Sequence, residues 1–94
     1  MEVFNAEFSK VWLSLGERDS KICAKIISHA LTHDKFKPSD IIPSMADQAD
    51  YQKNLQLLMK ANVLSDLGSS HTIHSGLVKS FFNEARNKKK YGLV

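Results

Sequence analysis

The clearest change of pattern in this 94-residue chain lies in residues 55–74, which read LQLLMKANVLSDLGSSHTIH. The first half repeats apolar residues at helical spacing, with Leu55 and Leu58 on one face. The second half holds two short, partly alternating segments around the turn residues 68–70, a pattern typical of a β-hairpin. The stretch therefore predicts a helix that ends near Asn62 and runs directly into a small hairpin.

Two apolar stripes nearer the N-terminus predict the first two helices. The first helix is expected to end at Gly16, which suits a left-handed C-cap. The second is expected to begin at Asp19 and Ser20, because both residue types cap helices. Its stripe includes Cys23 and contains no charged residue, so this helix should pack against the core. A single cysteine on an apolar stripe indicates a buried structural thiol, since no disulfide can form within the chain.

Residues 33–38 interrupt the helical pattern, because Pro38 disfavours helical geometry in the residue before it. We expect a connection with a short extended piece here. A brief third helix should follow, capped by Ser39 and Asp40 and reaching about Ala46. The fourth helix is the one that leads into the hairpin.

A last helix is predicted after the hairpin, with Ser75 as its N-cap and an apolar stripe over residues 77–85. Positive charge gathers towards its far end, where Glu84 is the only acidic residue. The basic residues are Lys79, Arg86, Lys88, Lys89 and Lys90. Such a run is either a solvated helix end or a segment that holds an anionic polymer by releasing condensed counterions. We therefore divide the chain into one domain, residues 1–87, and a basic C-terminal tail, residues 88–94.

Composition and missing motifs exclude several classes of protein. A chain that is 43% hydrophobic and 24% charged is typical of a globular domain, and its length allows one hydrophobic core. No apolar stretch approaches the roughly 20 residues that cross a bilayer, and no secretory signal precedes the first helix, so we expect a cytoplasmic protein without a membrane partner. No nucleophile elbow or phosphate-binding glycine loop is present. We expect no enzymatic activity, no small-molecule substrate and no cofactor.

Four histidines raise the question of a metal site. His29 and His33 are four residues apart on the second helix, and His71 and His74 are close in sequence at the hairpin. Zinc sites use such spacings, but structural zinc usually also takes cysteine thiolates, and Cys23 lies on the buried stripe. We expect these histidines to bind no metal.

The order of elements resembles the winged-helix branch of the helix-turn-helix proteins. Residues 36–42, FKPSDII, look like the start of the first helix of the turn motif, and residues 57–64, LLMKANVL, look like a recognition helix followed by the first wing strand. Residues 68–73 then resemble a short wing. The resemblance covers about residues 20–73 and implies a mostly α, winged-helix-like single domain with a small β-hairpin and flanking N- and C-terminal helices. The sequence departs from the family in having no glycine in the turn before the fourth helix and no Arg or Lys in the wing.

A recognition helix here would present polar side chains on the side away from its apolar stripe. These are Gln52, Lys53, Gln56 and Lys60. Glutamine pairs with adenine edges and lysine with guanine or phosphate, although both residues also serve simply to make a helix soluble. The resemblance thus implies a regulator or replication accessory of a bacterial, plasmid or phage system that binds double-stranded DNA, with phosphate contacts added by the basic C-terminal residues.

A winged-helix protein-interaction module or inhibitor, with no DNA binding, is the alternative. Asp47 and Asp50 at the start of the fourth helix would repel phosphate, which favours this alternative. Phe4, Phe8 and Trp12 on the first helix are aromatic anchors of the kind that interfaces use, either with a protein partner or in a dimer. The same three residues would equally serve as core residues of a small domain.

Overall fold

The computed structural model of the chain describes residues 2–42 and 47–93, with side chains from residue 6 onward. It forms a mostly α domain with one antiparallel hairpin, as the sequence predicts. The elements are α1 (Glu2–Leu13), α2 (Glu17–Thr32), α3 (Pro38–Ile41), α4 (Gln48–Lys60), β1 (Leu64–Asp66), β2 (His71–Ile73), α5 (Gly76–Asn83) and α6 (Ala85–Lys90). Within the described residues, no helix combines the length and the apolar character that crossing a membrane requires.

The second helix, α2, is the centre of the domain and contacts α3, α4, α5 and β2. Its buried residues are Ile22, Cys23, Ala24, Ile26, Ile27 and Ala30. The prediction that this helix packs against the core is confirmed, as is the buried position of Cys23. Because α2 has partners on several sides, it determines how the other elements are placed.

The junction between α1 and α2 differs from the sequence prediction. Gly16 has an extended backbone (φ −73°, ψ 170°) and is the N-cap of α2, so the predicted left-handed cap of the first helix is wrong. The second helix also begins before the predicted cap, at Glu17, and Ser20 lies in its first turn with its hydroxyl donating to the Glu17 carbonyl. Asp19 does not cap α2 because its carboxylate is directed to α4, where it accepts hydrogen bonds.

The connection from α2 to α3 contains the expected extended piece. Phe36 pairs antiparallel with His71 of β2, and its amide and carbonyl form backbone hydrogen bonds of 3.0 and 2.7 Å. The proline of Pro38–Ile41 occupies the first turn, where a missing N–H is tolerated. Asp40 accepts a hydrogen bond of 2.8 Å from the Lys37 amide and so closes the start of α3. The predicted end of this helix near Ala46 falls in residues 43–46, outside the described part of the chain.

The hairpin predicted after α4 is confirmed. Asn62 has a positive φ of 62° and turns the chain out of α4, which a short polar side chain tolerates better than most. β1 and β2 then pair in antiparallel register, with Leu64 opposite Ile73. Gly68 in the turn has a φ of +100°, a conformation that L side chains rarely adopt, and its amide donates 2.8 Å to the Asp66 carboxylate.

The C-terminal segment is two helices rather than the single predicted one. Ser75 caps α5 as expected, its hydroxyl accepting from the Val78 amide at 3.3 Å. Glu84 is extended (ψ 134°) and separates α5 from α6. The buried Asn87 amide donates to the Phe81 carbonyl at 2.8 Å and so pairs one of the last carbonyl groups of α5.

Tyr91, directly after α6, returns to the core and is 0% exposed. Its ring contacts those of Phe8, Trp12, Phe81 and Phe82, with centroids 5.0 to 6.2 Å away. We call these five residues the aromatic cluster. The predicted boundary after residue 87 therefore falls inside α6, and residues 88–93 belong to the domain rather than to a tail, because Tyr91 anchors them.

Candidate nucleic-acid interface

The polar face of α4 lies opposite the residues that this helix buries. Tyr51, Asn54, Leu55 and Leu58 face the core. Lys53, Gln56 and Lys60 are exposed on the other side, and Gln52 is half-buried beside them. The structure therefore places the four residues that the sequence suggested on one face of the helix before the hairpin, which we call the α4 face.

Lys53 is held by α2 and is less available than the rest of the α4 face. Its ammonium group lies 3.2 Å from the carboxylate of Asp19. The same carboxylate accepts a hydrogen bond of 3.2 Å from the Asn54 amide. These two interactions, with the Asn54 hydrogen bond the larger, lower the pKa of Asp19 and keep it ionised. Lys60, in contrast, has no carboxylate within 4.0 Å among the described residues.

The negative charge at the start of α4 is partly offset by an arginine that the sequence reasoning missed. The guanidinium of Arg18 lies 3.1 Å from the carboxylate of Asp47 and 2.9 Å from that of Asp50. The repulsion of phosphate expected from Asp47 and Asp50 is thereby reduced. No local signal pointed to this contact, because Arg18 is brought to α4 only by the packing of α2.

A groove of about 570 Å³ extends the α4 face towards α3 and the hairpin turn. Its lining residues are Lys37, Pro38, Ser39, Ile42, Gln48, Gln52 and Ser69. The hairpin turn itself carries no positive charge, as the sequence showed. Lys37 instead supplies a cation at this edge, so three elements border one concave surface that combines polar and apolar side chains.

The predicted cations Lys79 and Arg86 are engaged locally. Lys79 lies 4.0 Å from the carboxylate of Asp34, and Arg86 lies 3.5 Å from that of Glu84. These pairs are exposed and contribute little to stability. Neither residue lines the groove between α3, α4 and the turn.

The remaining predicted cations, Lys88 to Lys90, lie away from the α4 face. Lys89 and Lys90 line a cleft together with Lys21 and Lys25 of α2. On α2, these lysines lie on the side opposite Asp19 and Cys23, which contact α4. The sequence had suggested that the C-terminal lysines add to the contacts of the α4 face. In the structure the two groups of residues lie on different surfaces.

The aromatic residues predicted as partner anchors are largely internal. Phe8 is 1% exposed, so its assignment to an exposed interface is wrong and its alternative role in the core is correct. Trp12 is half-buried, with its ring 5.1 Å from that of Tyr91, and one part of it lines the basic cleft. The side chain of Phe4 lies outside the described part of the structure.

The histidines do not converge on a common point. The rings of His29 and His33 stack at 4.0 Å, and desolvation together with the neighbouring His33 lowers the pKa of His29. His74 contacts the Ser65 hydroxyl at 2.9 Å, while the buried His71 Nδ1 has no hydrogen-bond partner among the residues that the structure describes. Among the described residues, no group of three or more His, Cys, Asp or Glu is placed to hold a metal ion.

Cys23 is enclosed between α2 and α4. Its thiol donates to the Asn54 side-chain carbonyl at 3.3 Å. Burial raises the pKa of Cys23 to about 12, with a further contribution from Asp19. A thiol with so high a pKa is a poor nucleophile, which agrees with a structural role.

Two surfaces thus carry polar side chains suited to nucleic acid, the α4 face with its groove and the basic cleft on the other side of α2. Comparison with protein-family models, with curated proteins and with solved structures gives no match for the chain.

Proposed function

We propose that this chain is a cytoplasmic DNA-binding protein of winged-helix architecture, a regulator or replication accessory of a bacterial, plasmid or phage system. It binds duplex DNA by placing the α4 face in the major groove. One observation carries the proposal: the helix that runs into the hairpin exposes Gln56 and Lys60, while Arg18 offsets part of the negative charge at its start.

The arrangement of the elements supports the winged-helix part of the proposal. The bridge between Phe36 and His71 ties the connection before α3 to the hairpin after α4. Consequently α3, α4 and the hairpin turn border one groove, and the helix with the polar face lies in its middle. This is the order that the resemblance implies for a turn motif followed by a wing.

The dimensions and chemistry of the α4 face suit a major groove. That groove is about 12 Å wide and admits one α-helix. Gln56 reads an adenine edge through paired hydrogen bonds, and Lys60 contacts guanine or phosphate. Lys37, at the edge of the groove beside α3, contacts the DNA backbone in place of the uncharged hairpin turn.

The test is an anisotropy titration of labelled duplex DNA over a series of salt concentrations. Lys60→Gln removes one phosphate or guanine contact and should reduce the steepness of the salt dependence by about 1 in the log–log slope. Lys10→Gln is the matched control, because Lys10 is exposed on α1 and outside both polar surfaces. Lys53 is unsuitable for this test, since its change would also leave Asp19 without its cation.

Two results would contradict the proposal. The first is that the intact protein does not change the anisotropy of duplex DNA at low salt. The other is a Lys60→Gln variant with the same affinity and salt slope as the Lys10→Gln variant, because that would show attraction by net charge rather than by the α4 face.

A protein-interaction module remains the second candidate, favoured by an apolar groove beside α1. The groove has a volume of about 560 Å³ and lies between α1, the end of α4 and the start of α5. Val11 and Leu57 line it, and Leu77 at its edge is 66% exposed. If a second copy fills this groove, Leu77→Ser should shift the sedimentation of the protein towards the monomer. An intact protein that is monomeric at all concentrations would count against self-association.

A further inference from the structure

The basic cleft between α1, α2 and the end of α6 gathers lysines from two distant parts of the chain. It has a volume of about 500 Å³. Four lysines line it, Lys21, Lys25, Lys89 and Lys90, and no carboxylate does. The whole chain has a formal net charge of only +3, so the rest of the molecule is slightly acidic. A concave surface of one sign concentrates anions more effectively than the same charges spread over the molecule.

The cleft is built by the tertiary fold rather than by one run of sequence. Lys21 and Lys25 are one helical turn apart and share the outer face of α2. Lys89 and Lys90 reach them because Tyr91 is buried in the aromatic cluster, where its hydroxyl lies 3.3 Å from that of Ser9. The lysines of the C-terminal segment are therefore held beside α2 by an anchored residue.

Two of the four lysines form neither an ion pair nor a cation–π contact with a described residue. Lys21 pairs at 3.2 Å with Glu17, and Lys90 lies 5.2 Å over the ring of Tyr91. Lys25 and Lys89 have no carboxylate within 4.0 Å among the described residues. Their ammonium groups are available to an external anion at no cost in existing ion pairs.

The other lining residues indicate which anion fits. Lysine binds phosphate as a point charge, and the cleft has no arginine fork of the kind that grips carboxylates in pairs. Trp12 forms part of one wall, and an indole accepts a nucleic-acid base by stacking. Ser28 adds a hydroxyl on the same face of α2. Cations beside an aromatic wall suit a nucleotide better than an acidic peptide.

We propose that this cleft binds nucleotide phosphates, as a second anion site separate from the α4 face. The site lies on the opposite side of α2 from α4 and does not depend on the proposed docking of α4 in duplex DNA. Phosphates in a single strand and those of a free nucleotide share the chemistry that the cleft recognises.

Trp12 provides a direct test, because it is the only tryptophan of the chain and lies in the wall of the cleft. Its fluorescence is titrated at low salt with a single-stranded oligothymidylate and, separately, with ATP. A saturable change with either probe is expected. Saturation with the oligonucleotide identifies strand phosphates as the source, and saturation with ATP alone identifies a free nucleotide.

The decisive variant is Lys25→Gln with Lys89→Gln, which leaves the pairs of Lys21 and Lys90 intact. Saturation by ATP should be lost, and for a single strand the log–log salt slope should fall by about 1.4, the loss of two phosphate contacts. Lys10→Gln is the matched control and should titrate like the intact protein, because Lys10 is exposed on α1 and does not line the cleft. Circular dichroism verifies that all variants fold.

The proposal is overturned if neither probe changes the Trp12 fluorescence, or if Lys10→Gln weakens binding as much as the double variant. The outcome is separable from that of the proposed function. A reduced duplex salt slope in Lys60→Gln supports the α4 face, and loss of the Trp12 response in the double variant supports the cleft. Either result can fail without the other.

Discussion

Replacing Tyr91 with alanine should remove a large part of the stability of the domain, because this residue joins α6 to the core. An aromatic side chain of this size buries about 150–250 Å². At about 25 cal/mol per Å², that burial is worth about 4–6 kcal/mol, and measured aromatic-to-alanine changes in cores cost about 3–5 kcal/mol. A 94-residue domain has a total stability of about 5–14 kcal/mol. Tyr91→Ala should therefore remove at least about a fifth of it.

Chemical denaturation followed by far-UV circular dichroism measures this change. With an m-value of about 2 kcal/mol/M in urea, the midpoint should fall by about 2 M. Tyr91→Phe is the matched control, since it keeps the ring contacts and loses only the hydrogen bond to Ser9, worth about 0.5–1.5 kcal/mol. The Tyr91→Ala variant should also be cut by trypsin at residues 88–90 faster than Tyr91→Phe. A cost below about 1 kcal/mol for Tyr91→Ala would refute the anchoring role.

Three further predictions concern α2 and the hairpin. Asp19→Asn should lower the free energy of unfolding by about 1–2 kcal/mol at neutral pH, because the carboxylate accepts charged hydrogen bonds. The pKa of Asp19 is lower in the folded state, so the carboxylate stabilises the fold above about pH 4 and loses this effect as the pH falls through the folded-state pKa. The urea midpoints of the intact protein and of Asp19→Asn should therefore converge in acid. Cys23, with its pKa raised to about 12, should react with a thiol reagent only as fast as the protein unfolds, and fast labelling in native buffer would contradict its burial. Gly68→Ala should cost about 1 kcal/mol in thermal or urea unfolding because of the positive φ, whereas Gly76→Ala, whose φ is not positive, is the control that should change little.

The sequence pattern predicted correctly those elements that are determined by residues close to one another in the chain. The stripe of α2, the cap at Ser75 and the turn around Gly68 each depend on a few neighbouring residues, and all three are found. The break at Glu84 was missed, because helical spacing continues through it and the burial of Tyr91 that follows it is a tertiary contact. Likewise Gly16 looked like a C-cap, although its extended backbone begins the next helix.

The candidate sites divide in the same way. The members of the α4 face were found from helical periodicity, since one helix carries all of them. The role of Arg18 and the basic cleft were not found, because each joins residues from distant parts of the chain. Lys21 and Lys25 looked like ordinary solvated residues until the fold placed Lys89 beside them.

The position of α2 between the two polar surfaces determines how strongly binding at one is coupled to binding at the other. Two packed helices separate the α4 face from the basic cleft by about 20 Å, whereas charges in physiological salt are screened within about 8 Å. The repulsion between an anion in one site and an anion in the other is therefore almost fully screened. The two occupancies should add independently, with no cooperativity in binding. If both proposed sites bind nucleic acid, a single molecule would link two segments whose charges otherwise keep them apart.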